Sequence, residues 1–224
     1  MFYTYYFSKL SITNFIWNKF PNLNVRFKVQ NLIFKNMKTI LSLLIITVLA
    51  AGQLTGQSSG NPVTDAILSG YSVRKYSTQP VTDKQLDLIL KCGIKAPSAS
   101  NRQPWRFTVI RDDSTMKEII KDVVPGNVLI VVSGAEPQQG GRTPDFDCGL
   151  ATHSMFVAAG GLGLGARIYG SPVGNINSKR EIYQIPQGYK AVMVLRIGNI
   201  DKGVDAVSAA TTRKPAEEVV NYKK

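Results

Sequence analysis

Apolar residues between Thr82 and Pro97 recur at the spacing that places them on one face of an α-helix. Thr82 and Gln85 have the spacing of a capping box at the start of this run. Pro97 cannot continue a helix and therefore ends the pattern. The sequence predicts a helix with one buried face, formed by Leu86, Ile89, Leu90 and Ile94.

Short helical and short strand patterns alternate along the rest of the chain. Asn61 and Pro62 have the residue types of a helix start, and the helix should continue through Leu68. Strands are predicted over Arg106–Arg111, Val128–Val132, Ala166–Tyr169 and Lys190–Ile197, further helices over Cys148–Leu162 and Lys179–Tyr183, and a short amphipathic piece over Met116–Val124. Because these elements do not follow a strict strand-helix-strand order, they favour an α+β domain with a largely antiparallel sheet.

The segment Cys148–Leu162 is apolar on nearly all sides and rich in small residues. This composition predicts a fully buried helix packed closely by its neighbours. One small sheet offers too little cover for such a helix, so we expect a homodimer.

The N-terminal region has the layout of a secretory signal peptide. Met37 and Lys38 precede an apolar run from Thr39 to Ala51, which ends in small residues. A run of about 13 residues is shorter than the roughly 20 that a membrane-spanning helix needs, so no permanent membrane anchor is expected. We predict a signal peptide over 37–52, a linker over 53–60 and one folded domain over 61–224, with residues 1–36 an upstream start artefact. The protein would then be exported, to the periplasm; without a functional signal it would be cytoplasmic.

The formal net charge of +12 raises the possibility of a nucleic-acid partner. Residues 1–52 contain six basic and no acidic side chains, so half of the excess lies outside the predicted domain. No predicted strand interleaves basic and aromatic residues, and a nucleic-acid-binding function is therefore disfavoured. A moderately basic domain is equally expected of a protein that binds a phosphorylated cofactor.

Cysteine and histidine usage limits the chemistry. Cys92 and Cys148 could form one disulfide in an oxidising compartment, although each is better interpreted as a small buried residue. His153 is the single histidine, which excludes a histidine-based metal cluster within one chain, and it is expected to pack or cap locally. No side chain stands out as a nucleophile or general base, and no metal site is predicted.

Three segments combine residue types suited to ligand binding. Ser72 and Arg74 offer a hydroxyl and a guanidinium that can hold a phosphate. A loop with two prolines carries polar groups that a plain connection does not need, at Ser98, Asn101 and Gln103. The glycine-rich run 160–165 lacks the spacing and strand-to-helix context of a dinucleotide-binding loop, so it is either a helix terminus or a place where a flat ligand approaches bare backbone.

These segments, in this order, resemble the nitroreductase family of FMN enzymes. The resemblance is carried by Ser72-Val73-Arg74-Lys75-Tyr76, Ala96-Pro97-Ser98, Asn101-Arg102-Gln103-Pro104-Trp105, Asp147-Cys148-Gly149, Gly161-Leu162-Gly163-Leu164-Gly165 and Arg213-Lys214-Pro215. It implies an α+β homodimer with one FMN per protomer in the dimer interface. Electrons would pass as a pair from NADH or NADPH through the flavin to a nitroaromatic, quinone or similar small-molecule acceptor.

The resemblance also assigns candidate cofactor-binding residues. Ser72 and Arg74, helped by Arg213, would bind the phosphate and ribityl end. Pro97, Ser98, Asn101 and Gln103 would meet the flavin ring, often from the partner chain. The backbone of Gly163, Leu164 and Gly165 would approach the ring.

Two features depart from the family pattern. Gly70-Tyr71 stands where the family usually has a basic residue, so FMN is expected to bind more weakly. The stretch between Ile110 and Asp147 is short, which leaves substrate choice open. Since nicotinamide cofactors are scarce outside the cytoplasm, an exported flavin-binding or electron-relay protein with little NAD(P)H turnover is the alternative function.

Overall fold

The computed structural model describes residues 59–136, 144–204 and 212–223. The proposed start artefact, the signal peptide and most of the linker lie outside these residues. The helices are α1 (Pro62–Leu68), α2 (Asp83–Ile94), α3 (Asp113–Ile119), α4 (Asp145–Gly161), α5 (Val173–Ser178) and α6 (Ala216–Val219), with a 3-10 turn over Ala99–Asn101. The strands are β1 (Trp105–Ile110), β2 (Val128–Ala135), β3 (Gly165–Tyr169) and β4 (Tyr189–Gly198).

The four strands form one antiparallel sheet in the order β1-β2-β4-β3. The predicted α+β class and antiparallel sheet are therefore confirmed. Strand β2 is central, and its residues from Val128 to Gly134 are all buried. Its apolar residues serve both faces: Ile130 and Val132 join one core cluster, and Leu129 and Val131 join the other.

Each face of the sheet is covered by two helices. Helices α2 and α4 cover the first face, where Ile89 and Met155 are fully buried. Helices α3 and α5 cover the second face through Met116 and Ile176. Buried apolar area on both faces is what stabilises a sheet of only four strands.

The starts of α1 and α2 read from the sequence are confirmed. The Thr82 hydroxyl accepts the Gln85 N–H at 3.2 Å, and the Gln85 side chain accepts the Thr82 N–H at 3.1 Å. The Asn61 side chain caps α1 by accepting from the next helical turn. One member of the predicted α2 face differs: Ile94, at the end of the helix, is 55% exposed.

Two segments differ from the pattern read in the sequence. The segment Lys179–Tyr183 is not a helix, since α5 ends at Ser178 and the chain then turns through Gln184, whose φ is +52°. The amphipathic piece predicted over Met116–Val124 is helical only as far as Ile119, and its helix α3 begins at Asp113, because the Asp112 carboxylate accepts the Thr115 N–H at 2.7 Å and caps the first turn.

Neither cysteine forms a disulfide. Cys148 is buried, as expected, whereas Cys92 is exposed because it lies on the solvent face of α2. The prediction that the segment of α4 is fully buried is also wrong for a single chain. Its buried side holds Cys148, Ala151, Thr152, Met155 and Ala159, while His153 is exposed and Val157 is half-buried on the other side.

Candidate cofactor site

Residues 72–81, here called the strap, cross the edge and end of the sheet in extended conformation. Ser72 pairs with Ala166 of β3 in a parallel bridge, and the Val73 N–H donates to the Ala166 carbonyl at 3.1 Å. Further along, Tyr76 pairs with Ile200 in an antiparallel bridge. Main-chain pairing at both points fixes the strap that carries the predicted phosphate-binding residues.

A buried arginine anchors the middle of the strap. The guanidinium carbon of Arg196 lies 4.1 Å from the ring centroid of Tyr76, a cation–π contact inside the protein. Arg196 is 1% exposed, and its guanidinium donates to the Asn127 side chain at 2.9 Å and to the Asp122 carbonyl at 2.8 Å. The Tyr76 hydroxyl donates to the Val73 carbonyl at 3.1 Å. The position of the strap therefore depends on side chains from β4 and from the loop before β2.

The glycine turn, residues 163–165, connects α4 to β3 beside the strap. Gly163 has φ of +74°, and the Leu164 N–H donates back to the Ala159 carbonyl at 2.9 Å, which is a helix-terminating glycine motif. A Cβ on Gly165 would lie 2.8 Å from the Val73 methyl groups, so only glycine allows the strap to come this close. The helix-terminus interpretation of this run is confirmed.

A pocket of about 390 Å³ opens between the strap and the glycine turn. Of the predicted site residues, Gly163 and Leu164 line the pocket. Ser72, Arg74 and Gly165 do not line it, but each is adjacent in sequence to a residue that does. Its apolar wall is formed by Val73, Phe156, Leu164, Ala166 and Ile200. An apolar wall beside open glycine backbone suits a flat, largely apolar ligand portion.

The proline loop, residues 97–104, has a strained backbone. Three residues that are not glycine have left-handed φ values: Ser100 at +53°, Asn101 at +54° and Gln103 at +48°. The Ser98 hydroxyl accepts the Gln103 N–H at 3.0 Å, and the Gln103 side chain donates to the Asn101 side chain at 3.1 Å. Such strain persists when surrounding contacts determine the conformation, and it is frequent in ligand-binding loops.

The proline loop and the glycine turn lie at opposite ends of α4. Asp147, in the first turn, accepts the Ala99 N–H at 3.1 Å, whereas Ala159, in the last turn, bonds the glycine turn. These two anchor points are separated by about 18 Å of helix. One protomer therefore brings Ser72 and Arg74 to the glycine turn but does not bring Pro97, Ser98, Asn101 and Gln103 there.

Arg213 lies in a separate C-terminal segment. Residues 212–223 are exposed throughout, and Arg213 is not among the residues that line the pocket. The described residues thus do not join Arg213 to the strap.

Some pocket residues were not foreseen from the sequence. Phe156, Ile200 and Lys202 line it, and nothing in their local sequence distinguishes them from other core or surface positions. Lys202 is separated from Gly70 by more than half of the domain, and only the pairing of Tyr76 with Ile200 brings the two together.

The buried cysteine beside the proline loop is not a nucleophile. Burial first, and then the neighbouring Asp145 and Asp147, raise the pKa of the Cys148 thiol to about 12. The thiolate that reacts with electrophiles is therefore scarce at neutral pH.

The sequence and the fold are similar to those of known proteins. The profile of the nitroreductase family matches residues 67–127. A protein of Archaeoglobus fulgidus, provisionally named NADH dehydrogenase/NAD(P)H nitroreductase, is 31% identical over 137 residues, which cover 57% of this chain and 79% of the relative. The chain belongs to the nitroreductase family.

More distant relatives extend the match. The NADPH-flavin oxidoreductase of Vibrio harveyi is 24% identical over 182 residues, covering 72% of this chain and 73% of the relative. A Bacteroides fragilis nitroreductase solved with bound FMN has a TM-score of 0.58 at 22% identity, over 73% of this chain and 100% of that one. Nitroreductase A of Vibrio parahaemolyticus has a TM-score of 0.64, also at 22% identity, over 73% of this chain and 76% of that one. These structures show that the fold is shared.

None of the helices within residues 59–136, 144–204 and 212–223 has both the length and the hydropathy needed to cross a membrane.

Proposed function

We propose that this protein is an FMN-dependent oxidoreductase of the nitroreductase type, which passes electron pairs from NADH or NADPH to a small-molecule acceptor such as a nitroaromatic or a quinone. Family membership supports this function, as do relatives named NAD(P)H nitroreductase and NADPH-flavin oxidoreductase. FMN, when bound, supplies the two-electron chemistry, and the protein supplies binding and orientation.

The residues present fit FMN. Ser72 and Arg74 on the strap offer a hydroxyl and a guanidinium for the phosphate, and Arg213 is a further candidate. A Cβ built on Gly163 would meet nothing within 4 Å, so the turn presents bare backbone beside the apolar wall of the pocket. The polar strap residues suit the phosphate and ribityl end of the cofactor, and the apolar, glycine-lined part of the pocket suits its flat ring.

We propose further that the site is shared between two copies of the chain. Within one protomer, the anchor points of the proline loop and the glycine turn are about 18 Å apart along α4. A second protomer related by a two-fold axis can bring its own proline loop to the glycine turn of the first. The half-exposed side of α4 and the exposed Val63, Ile67 and Leu68 of α1 offer apolar surface for such a contact. In this arrangement Pro97, Ser98, Asn101 and Gln103 would orient the ring from the partner subunit.

The observation that carries the function is the junction of strap and glycine turn, where Val73 packs against Gly165 beside the pocket. Addition of NADPH to the FMN-loaded protein under anaerobic conditions tests it. We expect rapid bleaching of the flavin absorbance, followed by recovery when a quinone is added. Tightly bound FMN that stays unbleached would contradict the oxidoreductase function and leave the electron-relay alternative.

The phosphate assignment has an internal control, because riboflavin lacks the phosphate. Arg74→Ala and Arg213→Ala should each weaken FMN binding by about 1.5–3 kcal/mol, the range for a hydrogen bond to a charged group, with little change for riboflavin. Fluorescence titration measures both affinities. Equal losses for the two ligands would mean that the arginines support the fold instead of the phosphate.

Export is a further proposal, supported by the sequence of residues 37–52. A mature chain of the folded domain 61–224 with a short leading linker, starting near Gln53, is expected. N-terminal analysis of protein from the native host would decide, and a retained Met37 would contradict it.

A further inference from the structure

We propose that Lys202 supplies a positive charge for the FMN phosphate. In the family pattern a basic residue ahead of Ser72 provides such a charge, and this chain has Gly70-Tyr71 there instead. The inference rests on the proposed function and deepens it, because it names a residue that discriminates FMN from riboflavin.

The turn after α1 explains why position 70 is not basic. The Gly70 N–H donates to the Ile67 carbonyl at 3.2 Å, which folds the chain back at the helix end. A Cβ on Gly70 would lie 3.2 Å from the same carbonyl oxygen, closer than ordinary van der Waals contact. A side chain at position 70 would therefore require this carbonyl to shift by a few tenths of an ångström. This crowding favours a charge that comes to this end of the pocket from another segment.

Lys202 comes to the same place from the chain after β4. It lines the pocket together with Gly70 and Tyr71, and it is the only charged side chain among the lining residues that the structure describes. Within residues 59–136, 144–204 and 212–223, Lys202 forms no ion pair. Its neighbour Asp201 is engaged locally, where its carboxylate accepts the Gly203 N–H at 3.3 Å.

Main-chain pairing independently brings the segment of Lys202 next to that of Arg74. The Tyr76–Ile200 bridge is antiparallel, and the Asp201 N–H donates to the Lys75 carbonyl at 3.2 Å. The chain then turns, since the Val204 N–H donates to the Asp201 carbonyl at 3.1 Å, and Lys202 lies in this turn. Pairing of Asp201 with Lys75 therefore brings the turn that holds Lys202 next to the part of the strap that holds Arg74, and a second cation there favours binding of a phosphate.

Flavin titration of the full chain, stripped of bound flavin, tests the assignment. Lys202→Gln should weaken FMN by about tenfold while riboflavin changes by less than about twofold. Lys202→Arg keeps the charge and should stay close to the wild-type protein. Lys117→Gln is the matched control: this exposed lysine on α3 carries the same charge, but it lies on the helix layer that covers the other face of the sheet.

The outcomes separate the two proposals. If the wild-type protein binds FMN but Lys202→Gln leaves its affinity unchanged, or weakens both flavins equally, the role of Lys202 is overturned and the proposed function stands. If the wild-type protein binds neither flavin, both fall. A loss in Lys117→Gln as large as that in Lys202→Gln would assign the effect to net charge and would also overturn the proposal. In 1 M salt the difference between the wild-type protein and Lys202→Gln should shrink, as screening requires.

Discussion

The strap and the proline loop both carry residues assigned to the cofactor, yet they are held in different ways. The strap is fixed by main-chain pairing to β3 and to the chain after β4, and by the buried stacking of Arg196 on Tyr76. The proline loop is held by its own exposed side chains, by one bond to the Asp147 side chain and, at its end, by the bond from the Ala135 N–H to the Pro104 carbonyl. The strap is thus part of the protomer core, whereas the loop is a surface feature.

Backbone strain sharpens the contrast. The strap has no residue with left-handed φ, while the proline loop has three at Ser100, Asn101 and Gln103. Non-glycine residues in this region cost roughly 1–2 kcal/mol each. Folding of the protomer gains nothing evident from this strain, and a loop preorganised for a ligand or a partner does. The difference predicts that mutations in the strap act first on stability and that mutations in the loop act first on binding.

The largest effect is expected from removing the anchor of the strap. Arg196→Met removes the hydrogen bonds to the Asn127 side chain and to the Asp122 carbonyl, and it removes the stacking on Tyr76. We expect a loss of about 2–4 kcal/mol in the free energy of unfolding, measured by urea denaturation. A variant as stable as the wild-type protein would show that the strap does not depend on Arg196.

Gly165→Ala tests the close approach of strap and glycine turn. The added methyl group would lie 2.8 Å from Val73, so we expect a loss of about 1–3 kcal/mol in stability and weaker FMN binding. Gly174→Ala on α5 is the control, since its Cβ would meet nothing within 4 Å and alanine favours a helix. Similar stability changes in the two variants would contradict the packing described.

The bond between Asp147 and the proline loop can be isolated with a pair of variants in the first turn of α4. Asp147→Ala removes both the bond to Ala99 and a favourable charge at the start of α4, while Asp145→Ala removes only such a charge. The stability of the two variants should differ by about 1 kcal/mol, with Asp147→Ala the less stable. Equal thermal or urea midpoints would mean that Asp147 does not hold the loop.

The smallest effect is expected from relief of strain. Ser100→Gly should leave stability unchanged or raise it by up to about 1 kcal/mol, because glycine accepts the left-handed φ without steric cost while losing more entropy on folding. FMN affinity should nevertheless fall as the loop becomes less ordered. Urea denaturation measures the stability of this variant, and flavin titration measures its FMN affinity. A clear loss of stability would contradict the claim that the backbone at Ser100 is strained.

Local signals were enough to predict much of the fold. The capping box of α2, the glycine terminus of α4 and the apolar β2 each depend on neighbours in sequence, and all three are present. The displaced helix at Lys179–Tyr183 and the exposed side of α4 depend on tertiary contacts that no short pattern encodes. The chemistry of their side chains was likewise enough to suggest Ser72 and Arg74 as phosphate-binding residues. It could not show which contacts hold them in place.

The candidate site was harder to predict because it is assembled from distant segments. Lys202 and Phe156 reach the pocket only through the pairing of the strap with the chain after β4 and through the packing of α4. The resemblance to the family already implied that the ring-binding residues often come from the partner chain. The residues alone could not show this separation, because it depends on the length and direction of α4, which lies between the two groups within a protomer.

The central claim, a flavin site completed by strap and proline loop from two different protomers, can be tested by mixing two inactive variants. Arg74→Ala damages only the strap and Asn101→Ala only the loop, so each homodimer has two defective sites. A mixed two-fold dimer pairs one intact strap with one intact loop. After co-refolding or co-expression, about one tight FMN site per four chains is predicted, with NADPH-dependent flavin bleaching at those sites. No recovery of tight binding in the mixture, or a wild-type monomer that binds FMN tightly in sedimentation experiments, would contradict the account.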